Sequence, residues 1–198
     1  MAKFQFQSRD IARELARKYS TMTLEELDAL EDILVPMRFK KGQTILTEGE
    51  VCEYIYYLDQ GLIRQFYHKN GKELTEHLGE DHSIFMCIES LFREEPTKLS
   101  VEALENCIIY GLPKIELERI SLHHVNIQML YRKILEESLI ISQVHADLIR
   151  FESDQSRYER MCKLSPQVIQ RAPLIYIANY LQMTPETLSR VRAATLKG

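Results

Sequence analysis

Tryptophan is absent from this 198-residue sequence, and glycine (7), proline (6) and cysteine (4) are all scarce. The low glycine and proline content excludes collagen-like and low-complexity chains. No apolar stretch is long enough to span a bilayer, and Met1–Ser8 lacks the apolar core of a secretory signal. We therefore expect a cytoplasmic protein without a membrane partner.

Metal and cofactor signatures are also missing. No P-loop, Rossmann glycine set or Ser/His/Asp context is present, so we expect no catalytic residues. The cysteines form no C-x-x-C pair, which predicts four reduced, buried thiols and no metal or resident cofactor: Cys52, Cys87, Cys107 and Cys162.

Short β-rich runs separated by turn signals occupy the region from Arg38 to Leu112, which predicts an antiparallel β-roll or jelly roll. Two helices precede it, over Ser8–Tyr19 and from a capping box at Thr23 to about Leu34. Asn70-Gly71 predicts a tight hairpin. The predicted strands are Thr44–Thr47, Tyr54–Leu58, Leu62–Tyr67, Glu73–Leu78, Ser100–Leu104 and Cys107–Leu112.

Beyond Ile115 the pattern is helical for about 35 residues, with an apolar repeat of seven. We predict a dimerisation helix over residues 115–151, in which Glu137 interrupts the seam. Leu135 and Leu139 form a second apolar strip that we expect to pack on the β-roll. The alternative is a helix buried within one monomer. The predicted dimer seam consists of Ile127, Leu130, Ile134, Ile141, Val144 and Leu148.

The segment from Ala172 to Lys197 predicts two short helices joined by a tight turn. Leu174, Ile177, Ala178 and Leu181 form one apolar face, and Thr184-Pro185 can begin the second helix. On that second helix Leu188 and Val191 are expected to face the first helix. Its opposite face carries Glu186, Ser189 and Arg190, side chains that can read base edges in a major groove. A polar stretch at 152–156 is expected to act as a hinge, with Asp154 or Ser156 capping the next helix.

Charge is distributed unevenly. From Gln155 onward the net charge is about +5, which leaves about −9 on the rest of a chain whose total is −4. Such asymmetry is typical of a DNA-binding segment attached to an acidic body.

The run T-P-E-T-L-S-R, from Thr184 to Arg190, resembles the recognition helix of the Crp/Fnr family of bacterial transcription regulators. The resemblance implies that Arg190 binds a guanine, Glu186 a cytosine and Ser189 a neighbouring base, in half-sites of the TTGA type. Gln182 stands where the family usually has glycine, and the sequence ends where many relatives form a β-hairpin wing, which we expect to be absent. The full predicted DNA-binding set is Thr184, Glu186, Thr187, Ser189, Arg190 and Arg192.

The turns around Lys41-Gly42, Gln60-Gly61 and Asn70-Gly71 are similar to those of the family's cyclic-nucleotide-binding domain. The cassette that binds cyclic AMP in relatives does not match, because its Gly-Glu pair falls on Cys87 and Ile88. Its arginine falls on Lys98 or Leu99, and lysine cannot replace arginine in bidentate phosphate binding. We expect an effector of unknown chemistry in a pocket formed by Phe85, Cys87, Ile88, Glu89, Lys98, Leu99 and Ser100.

The sequence therefore predicts an α+β chain in three parts: a sensor β-roll (1–114), a dimerisation helix (115–151) and a helix-turn-helix domain (152–198). Its expected function is that of a homodimeric transcription regulator. The expected partners are palindromic double-stranded DNA, a second copy of the chain and RNA polymerase. Two alternatives stay open: an interaction module with weak or no DNA binding, and a metal-binding cupin for which His77 and His82 are the nearest candidate pair.

Overall fold

Eight strands and nine helices make up the part of the chain that the computed structural model describes, residues 7–195. The strands are β1 (Val35–Phe39), β2 (Thr44–Leu46), β3 (Tyr54–Gln60), β4 (Ile63–Lys69), β5 (Lys72–Gly79), β6 (Ser83–Phe85), β7 (Ser100–Ala103) and β8 (Cys107–Pro113). The helices are α1 (Ser8–Tyr19), α2 (Leu24–Ile33), α3 (Ile88–Arg93), α4 (Lys114–Ser121), α5 (Val125–Phe151), α6 (Asp154–Leu164), α7 (Pro166–Arg171), α8 (Leu174–Tyr180) and α9 (Pro185–Thr195). Among these helices, none has both the length and the apolar character needed to cross a bilayer.

The strands form two antiparallel sheets of four, in the orders β1-β8-β3-β6 and β2-β7-β4-β5. The predicted hairpin joins β4 to β5, with Lys69 opposite Lys72. Asn70 and Gly71 both adopt left-handed angles, with φ of 53° and 73°, as a two-residue type I′ turn requires. The antiparallel β-roll predicted from the sequence is confirmed.

The N-terminal helices agree closely with the sequence. Helix α1 has the predicted bounds and buries Ile11, Leu15 and Tyr19. Thr23 and Glu26 form the predicted capping box of α2, with the Thr23 N–H donating to Glu26 Oε2 at 2.8 Å and the Glu26 N–H to Thr23 Oγ1 at 3.2 Å. Both helices pack into the core between the roll and α5. They stabilise the sensor end of the molecule.

The helical region after the β-roll is divided into two helices. Helix α4 ends at Ser121 and α5 begins at Val125, so the helix predicted over 115–151 is interrupted at residues 122–124. Helix α5 is then continuous for 27 residues. Its first half packs into the core that also includes α1, α2 and the β-roll, which explains the burial pattern described next.

Four of the six residues of the predicted dimer seam are buried within a single chain. Ile127, Leu130 and Ile134 are 0–1% exposed and pack into the core of the same chain. Leu148 is also buried, against the C-terminal helices. A repeat of seven shows that one helix face is apolar but does not identify what covers it, and here the cover is intramolecular. Of the two residues expected to pack on the β-roll, Leu135 packs against this shared core, whereas Leu139 is 71% exposed.

The C-terminal helices form a second apolar core with α5. Ser153, rather than Asp154 or Ser156, caps α6 by accepting the Ser156 N–H at 3.2 Å. Pro166–Arg171 form the short helix α7 between α6 and α8. The last two helices, α8 and α9, are separated by residues 181–184, which is the predicted turn.

Candidate nucleic-acid interface and effector cavity

Helix α9 presents the predicted base-reading side chains to solvent. Leu188 and Val191 are buried against the neighbouring helices, whereas Glu186, Ser189 and Arg190 are exposed. These three side chains lie at i, i+3 and i+4 and therefore share one helix face. The geometry is suitable for insertion of that face into a major groove.

The turn before α9 is a Schellman motif. The Met183 N–H donates to the Ala178 carbonyl at 2.9 Å, and the Gln182 N–H to the Asn179 carbonyl at 3.0 Å. Gln182 occupies the left-handed position, with φ of 52°. A left-handed conformation at a non-glycine residue costs on the order of 1 kcal/mol.

The remaining predicted DNA contacts flank the exposed face. Thr184 Oγ1 caps α9 by accepting the Thr187 N–H at 3.2 Å. Arg192 is half-buried and hydrogen-bonds to Tyr158 of α6, so it lies beside the reading face rather than on it. Lys197, one of the basic residues in the positively charged segment after Gln155, lies outside the described residues.

The helix-turn-helix unit docks on its own β-roll through Asn179 of α8. Asn179 Oδ1 accepts the Thr75 N–H at 2.7 Å, and Asn179 Nδ2 donates to the Glu73 carbonyl at 2.9 Å. Strand β5 is at the edge of its sheet. One side-chain amide thus satisfies backbone groups that a further strand would otherwise pair.

A buried arginine reinforces this docking. Arg64 of β4 is 1% exposed and donates to Thr75 Oγ1 at 2.9 Å and to Glu73 at 2.7 Å. Its guanidinium lies 4.3 Å from the ring centre of Phe66 and 3.8 Å from that of Tyr176 on α8. Arg64 therefore contributes a cation–π contact across the boundary between the two units.

The β5–β6 turn holds the other side of the helical unit. Glu80 accepts the Val168 N–H at 3.0 Å. Arg171 of α7 bridges Asp81 and Glu105, with N–O distances of 2.5 Å to each carboxylate. These hydrogen bonds raise the pKa of Arg171. Burial alone would raise the pKa of Asp81, but hydrogen bonds from Arg171 and the Gly61 N–H bring it below its usual range.

These ion pairs reduce the basic surface that the sequence suggested. Arg157 pairs with Asp154, Arg160 with Glu152, and Arg171 with the β-roll. Part of the charge asymmetry is therefore neutralised within the molecule. Within the described residues, Arg190 is the cation on the exposed face of α9 that also carries Glu186 and Ser189.

A cavity of about 640 Å³ lies where the β-roll, α5 and the helix-turn-helix meet. The roll contributes Gln65, Glu76, His77, Ile84, Phe85, Met86, Ile88, Glu89 and Leu99. Helix α5 contributes Ser138, Ile141, Ser142, His145, Ala146, Ile149 and Arg150, and the C-terminal helical unit contributes Tyr180 and Gln182. Ile141, assigned to the dimer seam from the sequence, lines this cavity and is 47% exposed.

The predicted effector pocket coincides only partly with this cavity. Phe85, Ile88, Glu89 and Leu99 line it. The other three residues do not, because Cys87 and Ser100 are buried elsewhere and the Lys98 side chain is 83% exposed. Lys98 instead pairs with Glu89 at 3.9 Å. The sequence missed the walls supplied by β5, α5 and α8, which come together only in the folded chain.

Two histidines give the cavity its distinctive electrostatics. His77 Nε2 is buried and has no hydrogen-bond partner among residues 7–195. Burial, with a smaller effect from His145, lowers the pKa of His77 to about 4, and burial also lowers the pKa of His145. The His145 ring contacts Tyr180 edge-on, with ring centres 4.3 Å apart. Both imidazoles are therefore neutral at pH 7.

The described residues include one group of three that could hold a metal ion: Glu14, Asp59 and His82 have ligand atoms within 4.8 Å of one another. His82 is exposed, and its Nδ1 is hydrogen-bonded to the Tyr57 hydroxyl at 3.0 Å. The pair considered in the sequence, His77 and His82, is not part of one site. All four cysteines are free thiols as expected, although Cys162 is only partly buried.

Comparison with known proteins places these features in a family context. Residues 36–124 match the cyclic nucleotide-binding domain family. Over 83% of this chain the structure resembles FixK2 from Bradyrhizobium japonicum, covering 85% of that chain, with 19% identity and a TM-score of 0.67. It also resembles the catabolite activator protein of Thermus thermophilus (21% identity, 92% of this chain and 86% of that chain, TM-score 0.55). A Eubacterium rectale protein assigned to the Crp/Fnr family of transcriptional regulators matches with 16% identity, 89% and 85% coverage and a TM-score of 0.65. The chain has the Crp/Fnr fold.

A search of curated protein sequences found no match. The Crp/Fnr fold explains why the β-roll, the long α5 and the two-helix reader occur in this order. Of these neighbours, the Eubacterium rectale protein is described as a transcriptional regulator. In this Crp/Fnr-fold chain the exposed face of α9 and the cavity beside α8 are the two candidate functional sites.

Proposed function

We propose that the chain is a sequence-specific, DNA-binding transcription regulator that acts as a homodimer in the bacterial cytoplasm. The observation that supports this function is the exposed trio on α9, Glu186, Ser189 and Arg190, on a helix whose opposite face is buried. Arginine pairs bidentately with guanine, glutamate accepts from cytosine, and serine adapts to either. A palindromic site with two TTGA-type half-sites fits these side chains, and RNA polymerase is the further partner of such a regulator.

Base reading is tested by comparing Arg190→Ala with Arg190→Lys on the palindrome and on single-base variants, at fixed salt. We expect Arg190→Ala to cost about 1–3 kcal/mol and to relax preference at one position. Arg190→Lys keeps the charge without the bidentate fork, so it should lose the same base preference while retaining more non-specific affinity.

An equal loss on every sequence after Arg190→Ala would mean that this residue contacts only phosphates. Arg192→Ala is the matched comparison, since a phosphate contact there would weaken all sequences alike and flatten the salt dependence by about one unit. Absence of measurable binding by the unmodified protein at low salt would favour the interaction module over the regulator.

Dimer formation is proposed through the outward face of α5 instead of the buried seam. Leu139 and Ile140 are 71% and 61% exposed. Met129 lies eleven residues before Ile140, or three turns, on the same side of the helix. Two-fold DNA sites require paired readers about 34 Å apart, which a dimer supplies.

The dimer face is tested with Ile140→Lys, and Leu122→Lys is the control because Leu122 is exposed and apolar but lies outside α5. We expect Ile140→Lys to sediment as a monomer and Leu122→Lys as a dimer. If both variants behave alike, this face does not form the interface.

We further propose that the effector is not cyclic AMP. Cys87 and Ile88 stand where a ribose-binding Gly-Glu pair would be needed, and the Lys98 head group is directed to solvent and Glu89. Cyclic AMP at millimolar concentration should change neither the thermal midpoint nor the DNA affinity. A saturable shift in either quantity would contradict this.

A further inference from the structure

The cavity between β5, α5 and α8 contains a buried polar atom without a partner among the residues that the structure describes. His77 Nε2 has no hydrogen-bond partner among the described residues although it is buried. A buried polar atom without a partner costs about 1–3 kcal/mol. A ligand that forms a hydrogen bond with this nitrogen would recover that free energy.

The walls favour an acidic head group over a basic one. His145 and Arg150, both from α5, line the cavity together with His77, and no carboxylate of residues 7–195 pairs with Arg150. Of the two acidic groups on the wall, Glu89 is engaged by Arg93 at 3.5 Å and Lys98 at 3.9 Å. Burial raises the pKa of the other acidic group, Glu76. Tyr180, from α8, is the remaining titratable group on the wall.

The rest of the cavity surface is largely apolar. Ile84, Phe85, Met86, Ile141 and Ile149 can cover a hydrocarbon or aromatic body. The volume of about 640 Å³ is within the range of small-molecule sites. A ligand for this cavity therefore combines an apolar body with one acidic group.

We propose that the cavity binds an amphipathic organic acid whose carboxylate is held by His77, with His145 and Arg150 beside it. This proposal deepens the sensor role proposed above and rests on it. Because the neutral imidazole meets an anion, binding draws one proton from solvent onto His77, and the complex is an imidazolium–carboxylate pair. Tyr180 and Gln182 also line the cavity, so the acid contacts the DNA-reading unit directly.

The test uses three compounds that share one skeleton: 3-phenylpropionate, 3-phenylpropanamide and 3-phenylpropylamine. Titration calorimetry in two buffers of different ionisation enthalpy measures protons taken up with each ligand. We expect saturable binding of the acid with uptake of about one proton at pH 7, and an affinity that falls about tenfold per pH unit above neutrality. The amide should bind more weakly without proton uptake, and the amine more weakly still.

His77→Gln retains a hydrogen-bonding side chain but cannot titrate, so it should lose proton uptake and at least tenfold in affinity for the acid. His123→Gln is the matched control, since His123 is exposed and does not line the cavity. Equal affinity for acid and amide, tighter binding of the amine, proton uptake that persists in His77→Gln, or no binding of the acid at about 10 mM would each overturn the proposal. DNA binding by the ligand-free protein is measured separately, so failure of the cavity and failure of the reader are distinguishable.

Discussion

Loss of the Arg171 side chain should release the helix-turn-helix unit from the β-roll without unfolding either one. Arg171 makes contacts of 2.5 Å to Asp81 and of 2.5 Å to Glu105, and its side chain is 22% exposed. Exposed ion pairs contribute about 0–1 kcal/mol, whereas truncating one partner of a buried, hydrogen-bonded pair costs about 2–5 kcal/mol. For this half-buried bridge we expect Arg171→Leu to cost about 2 kcal/mol.

Hydrogen exchange at Thr75 reports that loss specifically, because its N–H is bonded to Asn179 of the docked α8. About 2 kcal/mol corresponds to roughly a 30-fold faster opening-limited exchange at this amide. Lys163→Ala removes a positive charge from the same unit at an exposed position and should leave the exchange unchanged. If exchange at Thr75 is equally slow in Arg171→Leu, or if all core amides accelerate together, docking does not depend on this bridge.

A double-mutant cycle and a pH series extend the same test. Glu105→Gln is the better partner than an Asp81 variant, since Asp81 also accepts the Gly61 N–H at 2.5 Å. We expect a coupling energy with Arg171→Leu of about 1–2 kcal/mol. The pKa of Asp81 is lower in the folded chain than in the unfolded one. Its stabilising effect is therefore fully present above about pH 4 and is lost as the pH falls further.

Three further measurements check separate parts of the structure. Gln182→Gly should raise the free energy of unfolding by up to about 1 kcal/mol in urea, because the left-handed position no longer carries a Cβ; Gln182→Ala, the control, should give no such gain. Ile134→Ala should cost about 2–5 kcal/mol independently of protein concentration, since this side chain is buried within one chain; a cost that depends on concentration would return it to the dimer interface. The pKa of His77 is lower in the folded chain than in the unfolded one, so the unfolded chain binds more protons below pH 6.5, and the free energy of unfolding should fall by about 1–3 kcal/mol between pH 6.5 and 4. This fall should be smaller in His77→Gln. An unchanged pH profile in that variant would show that His77 is not buried as a neutral group.

Local signals in the sequence predicted the elements that depend on neighbouring residues. The Thr23 cap, the Asn70-Gly71 hairpin and the turn before α9 each involve hydrogen bonds within a few positions, and each is confirmed. Strand β1 was missed because Pro36 breaks its β pattern, and β6 because three residues carry no periodicity. Both strands exist because neighbouring strands pair with them.

The features that could not be predicted from the sequence depend on packing between residues far apart in the chain. The apolar repeat on α5 was visible, but an apolar face packs equally well on a second chain or within its own. Only the fold shows that Ile127 and Ile134 are buried in the core shared with α1, α2 and the β-roll. Arg64 was not recognised as a docking residue, since an arginine within a strand is normally assigned to the surface. The cavity could not be predicted from the sequence either, because its walls come from segments more than 100 residues apart, such as those of His77 and Tyr180.

The docking contacts and the cavity share two elements, and this proximity links them. On β5, Thr75 receives Asn179 while His77, two residues on, lines the cavity. On α8, Tyr180 of the cavity wall directly follows Asn179 of the docking contact. A ligand shifts docking only if its affinity differs between the docked and released arrangements. The coupling must also be reciprocal. If 3-phenylpropionate slows hydrogen exchange at Thr75, then releasing α8 by Arg171→Leu must weaken the binding of that compound. The loss of affinity should be in proportion to the docked fraction that the substitution removes. A change in exchange without a corresponding change in affinity would separate the cavity from the reader and leave the two sites independent.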